Sequence, residues 1–157
     1  MRKKITPAMR ASGSRPDGGW LDLAAVAEVE ITSEHPEHPI ESALLPGRNS
    51  GWRANEPGRQ VIRLLISPPR KITHIHLHFE ESAVERTQQY VLQWSPQPDQ
   101  PCREIVRQQW NFSPSGATAE TEDHHIDLPP VGVLELIIDP DQGNPAAFAS
   151  LESMRIG

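Results

Sequence analysis

The sequence predicts an all-β domain, a sandwich or jelly roll, on three observations. About eight short segments alternate apolar and polar residues at the two-residue period of a strand. Turn-forming residues separate them, with 16 Pro and 10 Gly in 157 residues. No segment sustains the 3.6-residue apolar period of a long amphipathic helix, and none repeats at a solenoid or propeller period.

The elements follow in order. Trp20 to Glu28 (WLDLAAVAE) is too short for periodicity to choose between a helical turn and an edge strand; a turn would put Leu23, Val26 and Ala27 on one side. Val29 and Ile31 alternate with Glu28, Glu30 and Thr32 as a half-buried strand. Gln60–Ser67 places Ile62, Leu64 and Ile66 on one face and is expected to stop at Pro68-Pro69, which lack ladder donors. Lys71–Glu80 (KITHIHLHFE) is the clearest strand, with Thr73, Ile75, Leu77 and Phe79 facing one way and His74, His76 and His78 the other. Gln88–Ser95 turns Tyr90, Leu92 and Trp94 inward. Glu104–Phe112 alternates Val106, Gln108, Trp110 and Phe112. His125–Leu128, Val133–Ile138 and Leu151–Ile156 complete the set.

Length and composition narrow the function classes. A chain of 157 residues suits one domain with a sizeable core and no need of a staple. We read residues 1–18 as a flexible basic tail, rich in Gly, Ser and Pro, and residues 19–157 as the folded domain. The single cysteine, Cys102, excludes an internal disulfide framework and a Cys-rich zinc site. No secretory signal or membrane-length apolar run is legible, so a cytoplasmic protein without membrane contact is expected. The net charge of −6 argues against a nucleic-acid surface. Arg outnumbers Lys twelve to three, which favours forked, planar donation to carboxylates and sugar hydroxyls.

One stretch stands out as a recognition surface. From Val29 to Ile66 the chain reads as a strand, a long polar loop crossed by Pro36, Pro39 and Pro46, a Gly-Trp turn, then a second strand. Loops longer than about 12 residues are usually functional or disordered. This one carries the apolar anchors Ile40, Leu44, Leu45 and Trp52, so an ordered loop is expected.

Several residues could carry chemistry. His74, His76 and His78 share a strand face, and imidazoles suit zinc, copper, iron or nickel. With Glu80 they read His-x-His-x3-Glu, which is similar to the first motif of the cupins, metal-binding jelly rolls that include many enzymes. Pro68 stands where a cupin has glycine, and no second cupin motif follows, so an outer polar face is the plainer reading. His124-His125 follows an acidic run (ETED) and is expected on a surface loop. His35, His38, Arg53 and Asn55 offer the donors and acceptors that sugar hydroxyls need, while Trp52 either joins them or packs in the core. Arg86, Arg103 and Arg107 form a second polar group near Trp110, with ion pairs to Glu80, Glu81, Glu85 or Glu104 as the alternative. No nucleophile elbow, phosphate-cradling Gly loop or His-Glu-x-x-His helix occurs.

Lined up in this order, the chain resembles the discoidin (coagulation-factor type C) and galactose-binding-like domains. Their opening strand end and Ala-Leu-Asp-Gly loop closing on Trp look like VEITSE and ESALLPGRNSGW here. Their following strands are similar to VIRLLISPPRKITHIHLHF, to QYVLQWS from Tyr90 to Ser95, and to ASLESMRI from Ala149. The resemblance spans residues 27–156. It implies an eight-stranded jelly-roll sandwich that binds glycans, or sometimes proteins, on loops at one end, without catalysis and without a cofactor. His35, His38, Trp52, Arg53, Asn55, Arg86 and Trp110 are then the candidate ligand-binding residues, and the cupin-like enzyme using His74, His76 and Glu80 is the alternative. Such domains often hold a structural calcium through the loop Asp and a Glu near the C-terminus. Here Leu45-Pro46 and Ser153 stand in those places, so no calcium site is expected there. The family's Asp-Gly turn is also replaced, by SPQPDQP.

Overall fold

A computed structural model describes residues 19–47 and 50–157 in full and the backbone of residues 2–4. In chain order the elements are β1 (Arg2–Lys4), α1 (Leu23–Val26), β2 (Ala27–Ile31), α2 (Glu41–Leu44), β3 (Trp52–Arg53) and β4 (Gln60–Arg70). Then come β5 (His74–Glu80), β6 (Arg86–Ser95), β7 (Arg103–Phe112), β8 (Ala119–His125), β9 (Val131–Asp139), β10 (Ser150–Leu151) and β11 (Ser153–Ile156). They build a two-layer antiparallel sandwich. One layer has the strand order β1-β2-β4-β9-β6-β7 and the other β11-β5-β8, with the short pair β10-β3 closing one end.

The alternation read in the sequence explains the layers. Val29 and Ile31 of β2, Ile62, Leu64 and Ile66 of β4, and Leu134, Leu136 and Ile138 of β9 all point into the core and are buried. The pairings Val29↔Leu64, Leu64↔Leu134 and Leu92↔Leu136 set those faces in register. From the opposite layer Ile75, Leu77 and Phe79 of β5 face them, each at 0% exposure, and Phe79 stacks on Tyr90 with ring centroids 5.4 Å apart. Each such side chain contributes about 1.5–3 kcal/mol on burial, so the inward faces hold the fold together.

One alternative is decided and three expectations need revision. Trp20–Glu28 resolves as the helical turn α1, which buries Leu23 and Ala24, followed directly by β2. β4 does not stop at Pro68; a register shift between Leu65 and Arg70 carries it past both prolines, so neither has to donate to the ladder. The strand expected at His125–Leu128 lies earlier, at Ala119–His125, and His124-His125 therefore sit on a strand rather than a surface loop. That strand is polar on both faces, so hydrophobic periodicity is blind to it; the ladder with β5, from His74↔His125 to Glu80↔Ala119, holds it in place. Leu151–Ile156 divides at Glu152 into β10, paired with β3, and β11, paired with β5. In the N-terminal segment Arg2–Lys4 pairs with β2, and the rest of residues 1–18 lies outside the described residues.

Candidate functional site

The loop between β2 and β4 is shaped by its anchors. Ile40, Leu44 and Trp52 are at most 2% exposed, and the Trp52 indole N–H donates to the Ser33 carbonyl at 3.0 Å. Trp52 is therefore a core residue. Backbone bonds then bring the loop's polar residues together: His35 N–H donates to the Arg53 carbonyl at 2.8 Å, and Arg53 N–H to the His38 carbonyl at 3.2 Å. His35 and His38 stand edge to face, 5.5 Å between ring centroids. Asn55 N–H donates to Ser33 Oγ at 3.0 Å. Five of the residues chosen from sequence, His35, His38, Arg53, Asn55 and Arg86, thus line one depression of about 740 Å³ at one end of the sandwich.

Two further loops complete that depression. Ala54 N–H donates to the Ala149 carbonyl at 2.9 Å and Gly58 N–H to the Ala147 carbonyl at 2.8 Å, tying the segment after β9 alongside Asn55. Asn144 Oδ1 accepts the Ala146 N–H at 3.0 Å, an Asx turn that presents Phe148 at the rim. On the other side Glu81 Oε2 accepts the N–H groups of Ala83 and Val84 at 3.2 and 3.3 Å, which holds the β5–β6 turn. Val84 and Phe148 are the exposed large hydrophobic residues among those described, at 51% and 47%, and both lie on this rim. Sequence reasoning did not select either. Phe148 had a weak signal, a lone aromatic in a Gly-Asn-Pro-Ala loop; Val84 had none.

Hydrogen-bonding capacity separates the side chains of this wall that are already engaged from those that are open. Arg86 is 3% exposed, with Nε on Glu81 Oε1 at 2.8 Å, Nη1 on Gln88 Oε1 and the Pro140 carbonyl, and Nη2 on Ser150 Oγ. Its guanidinium also lies 4.9 Å from the centroid of the Phe112 ring. With these donors engaged, Arg86 supports the wall and has no fork to offer a ligand, contrary to the sequence assignment. Burial pushes the Glu81 carboxyl up, but Arg86 and the Ala83 and Val84 amides outweigh it and hold Glu81 below the usual carboxylate range. By contrast, the side chains of Arg53 and Asn55 have no partner among the described residues, and each projects from an exposed position. Trp110 lines neither this depression nor its neighbour and packs half-buried against the core from β7. Arg107 pairs with Glu104 at 2.8 Å, the ion-pair alternative.

The histidine face of β5 is an outer surface, which overturns the cupin alternative: its apolar residues, not its imidazoles, line the interior. His74 Nε2 and His76 Nδ1 each donate to Asp123 Oδ1 at 2.8 Å, and those bonds hold Asp123 below the usual carboxylate range. His78 lies 2.8 Å from both Thr121 Oγ1 and Glu80 Oε2. His74 stacks on His125 at 4.4 Å, and Trp20 covers it from the other side at 4.6 Å. The inward residues of β8 form a second polar group. Gln88 Nε2 donates to Glu120 Oε1 at 3.4 Å, and Tyr90 Oη lies 2.7 Å from His124 Nε2. Burial, then the charge of Glu122 and a hydrogen bond with it, push the Glu120 carboxyl up to about 7.

The residues around α2 do not fit the calcium that the resemblance implies. Arg155 Nη1 donates to the Ala43 carbonyl at 2.9 Å and Nη2 to the Leu45 carbonyl at 3.5 Å. A guanidinium therefore already occupies carbonyl oxygens of this loop, beside the Leu45-Pro46 pair that supplies no carboxylate. Among the described residues no group of three or more His, Cys, Asp or Glu is arranged to hold a metal ion.

Fold and site together define a β-sandwich with a polar, aromatic-rimmed loop surface at one end. Solved structures share this architecture. CBM32-3 from a family 31 glycoside hydrolase of Clostridium perfringens superposes with a TM-score of 0.64 at 14% identity, covering 87% of this chain and 93% of that one. CpGH89CBM32-5, also from Clostridium perfringens and solved with GalNAc-β-1,3-galactose, gives 0.62 at 19% identity over 83% of this chain and 94% of that one. A Ruminococcus gnavus GH29 fucosidase solved with fucose gives 0.61 at 8% identity; the match covers 85% of this chain but 25% of the fucosidase. At these identities what is shared is the fold, an antiparallel β-sandwich. No family model matches the chain, and no curated protein matches it by sequence.

Proposed function

We propose that the loop end of the sandwich binds carbohydrate and performs no chemistry on it. The observation that carries this reading is Phe148, a 47% exposed ring on the rim of a depression whose wall holds the side chains of Arg53 and Asn55, which have no partner among the described residues. A ring exposed beside free forked donors suits a pyranose, whose C–H face stacks on the aromatic while its hydroxyls take the polar groups. His35 and His38 add imidazole nitrogens to the same wall. The family 32 modules of the same fold, solved with sugars, support the reading.

A glycosidase needs a pair of carboxyl groups, one of them protonated to serve as general acid. Glu81, the carboxylate common to both depressions, is instead engaged by Arg86 and two backbone amides, which hold it below the usual carboxylate range and suit it to a structural role in the wall.

A glycan array followed by calorimetric titration tests the proposal. Binding to at least one neutral sugar is expected, with loss of about tenfold or more for Phe148→Ala and Arg53→Ala. An empty array, or full binding by both variants, overturns it.

A further inference from the structure

The sugar depression does not end at Arg53. A second depression of about 370 Å³ adjoins it, and His38, Arg53, Glu81 and Ala83 belong to both walls. The two spaces therefore lie on either side of one shared wall, to which Arg53 contributes. Beyond the shared wall the second depression is lined by Glu80, Glu152, Ser50, Ser82 and Ser150, with the buried Trp52 beneath them.

Glu152 is the informative residue there. It sits at the break between β10 and β11, where its N–H donates to the His78 carbonyl at 2.9 Å, so its backbone is fixed by the sheet. Its side chain lies over Gly51: a Cβ added to Gly51 would stand 2.8 Å from Glu152 Oε2. Gly51 has φ +66°, a conformation that also favours glycine, and the lack of a side chain leaves the carboxylate room. The carboxylate itself has no hydrogen-bond or ionic partner among the described residues, although the residue is half-buried. Glu80, on the same wall, bonds His78 at 2.8 Å.

Resting on the carbohydrate reading above, we propose that this chain recognises a neutral disaccharide. One unit stacks at Phe148, Arg53 bridges the linkage region, and the second unit donates its hydroxyl or amide hydrogens to Glu152. An ionised carboxylate accepts hydrogen bonds and donates none, so it selects a second unit rich in O–H or N–H. The same charge, with Glu80 beside it, repels a uronic acid from that position.

Calorimetric titration of the full chain with galactose, N-acetylgalactosamine, lactose, GalNAc-β-1,3-galactose and digalacturonic acid tests this. At least one neutral disaccharide should bind about tenfold more tightly than its component monosaccharides, and digalacturonic acid should bind more weakly than that disaccharide. Glu152→Ala should remove the disaccharide advantage and leave monosaccharide affinity unchanged, while Glu152→Gln should narrow the gap to digalacturonic acid. Equal affinity for mono- and disaccharides, an equal loss of both in Glu152→Ala, or preferred binding of digalacturonic acid overturns the proposal while the Phe148 site stands. Binding of none of the five overturns the disaccharide proposal for these sugars, whereas an empty glycan array, or binding indifferent to Phe148→Ala, overturns the carbohydrate reading beneath it.

Discussion

Arg86 Nε donates to Glu81 Oε1 at 2.8 Å, and this pair, with side-chain exposures of 1% and 10%, underlies both depressions of the loop surface. Glu81 in turn holds the amides of Ala83 and Val84, so the pair fixes the wall that Arg53 and His38 face. Removing one partner strands a buried charge. Arg86→Ala should cost about 3–5 kcal/mol in urea denaturation, whereas the double variant Arg86→Leu, Glu81→Leu should recover part of that loss. A double variant no more stable than Arg86→Ala contradicts this account.

The same pair sets an acid limit. Glu81 has a folded pKa below its ordinary value of 4.5, so its contribution is present above pH 4.5 and is lost as pH falls through the lowered value. The unfolding midpoint should therefore drop below pH 4.5, and the drop should be smaller in the Arg86→Leu, Glu81→Leu variant.

Glu120 acts in the opposite direction. Its carboxyl is raised from 4.5 to about 7, so its stabilising protonated form is fully present below pH 4.5 and is lost as pH rises through 7. At roughly 1.4 kcal/mol per unit this amounts to at most about 3 kcal/mol across that window. Glu120→Gln should flatten the fall between pH 4.5 and 7, measured by thermal unfolding at closely spaced pH values. Burial lowers the His124 pKa from 6.5, which adds stability above that value, so the wild type and variant must be compared point by point. Identical slopes in the two proteins contradict a shifted Glu120.

Two aromatic residues at the loop surface should respond differently. Phe148→Ala removes a half-exposed ring, so stability should change by about 0.5 kcal/mol or less while sugar affinity falls. Trp52, 1% exposed and bonded to the Ser33 carbonyl, should cost about 3–5 kcal/mol as Trp52→Ala. Chemical denaturation and titration of both variants check the pair.

Arg155 tethers the loop around α2 to β11. Arg155→Ala should lower stability by about 1.5–3 kcal/mol, the range for charge-assisted bonds to a carbonyl. EDTA should leave the Tm of the wild type unchanged. A Tm lowered by EDTA and restored by calcium contradicts the guanidinium tether.

How far the sequence was legible depends on the residue. β5 could be read directly because Ile75, Leu77 and Phe79 alternate with three histidines, and one face of each strand position must be dry. β8 could not, since Glu120, Glu122 and His124 are polar on the inward side; only its ladder with β5 identifies it as a strand. His35, His38, Arg53 and Asn55 were legible as a group because they lie close together along one loop. Arg86 was misassigned because sequence shows a donor but not its partners. Phe148 and Glu152 lie about a hundred residues further along the chain, so only tertiary pairing brings them to the same end of the domain.

The sequence by itself determined the sandwich, its inward faces and an ordered loop between β2 and β4, since alternation and turn chemistry are local properties. The tertiary structure alone decided which side chains share a wall and which donors remain free. Those outcomes depend on long-range pairings such as Ala54 with Ala149 and Glu152 with His78, which bring distant segments to one end of the sandwich. The stretch from Val29 to Ile66 supplies one side of the two depressions; the segments that meet it there supply the Phe148 ring and the Glu152 carboxylate.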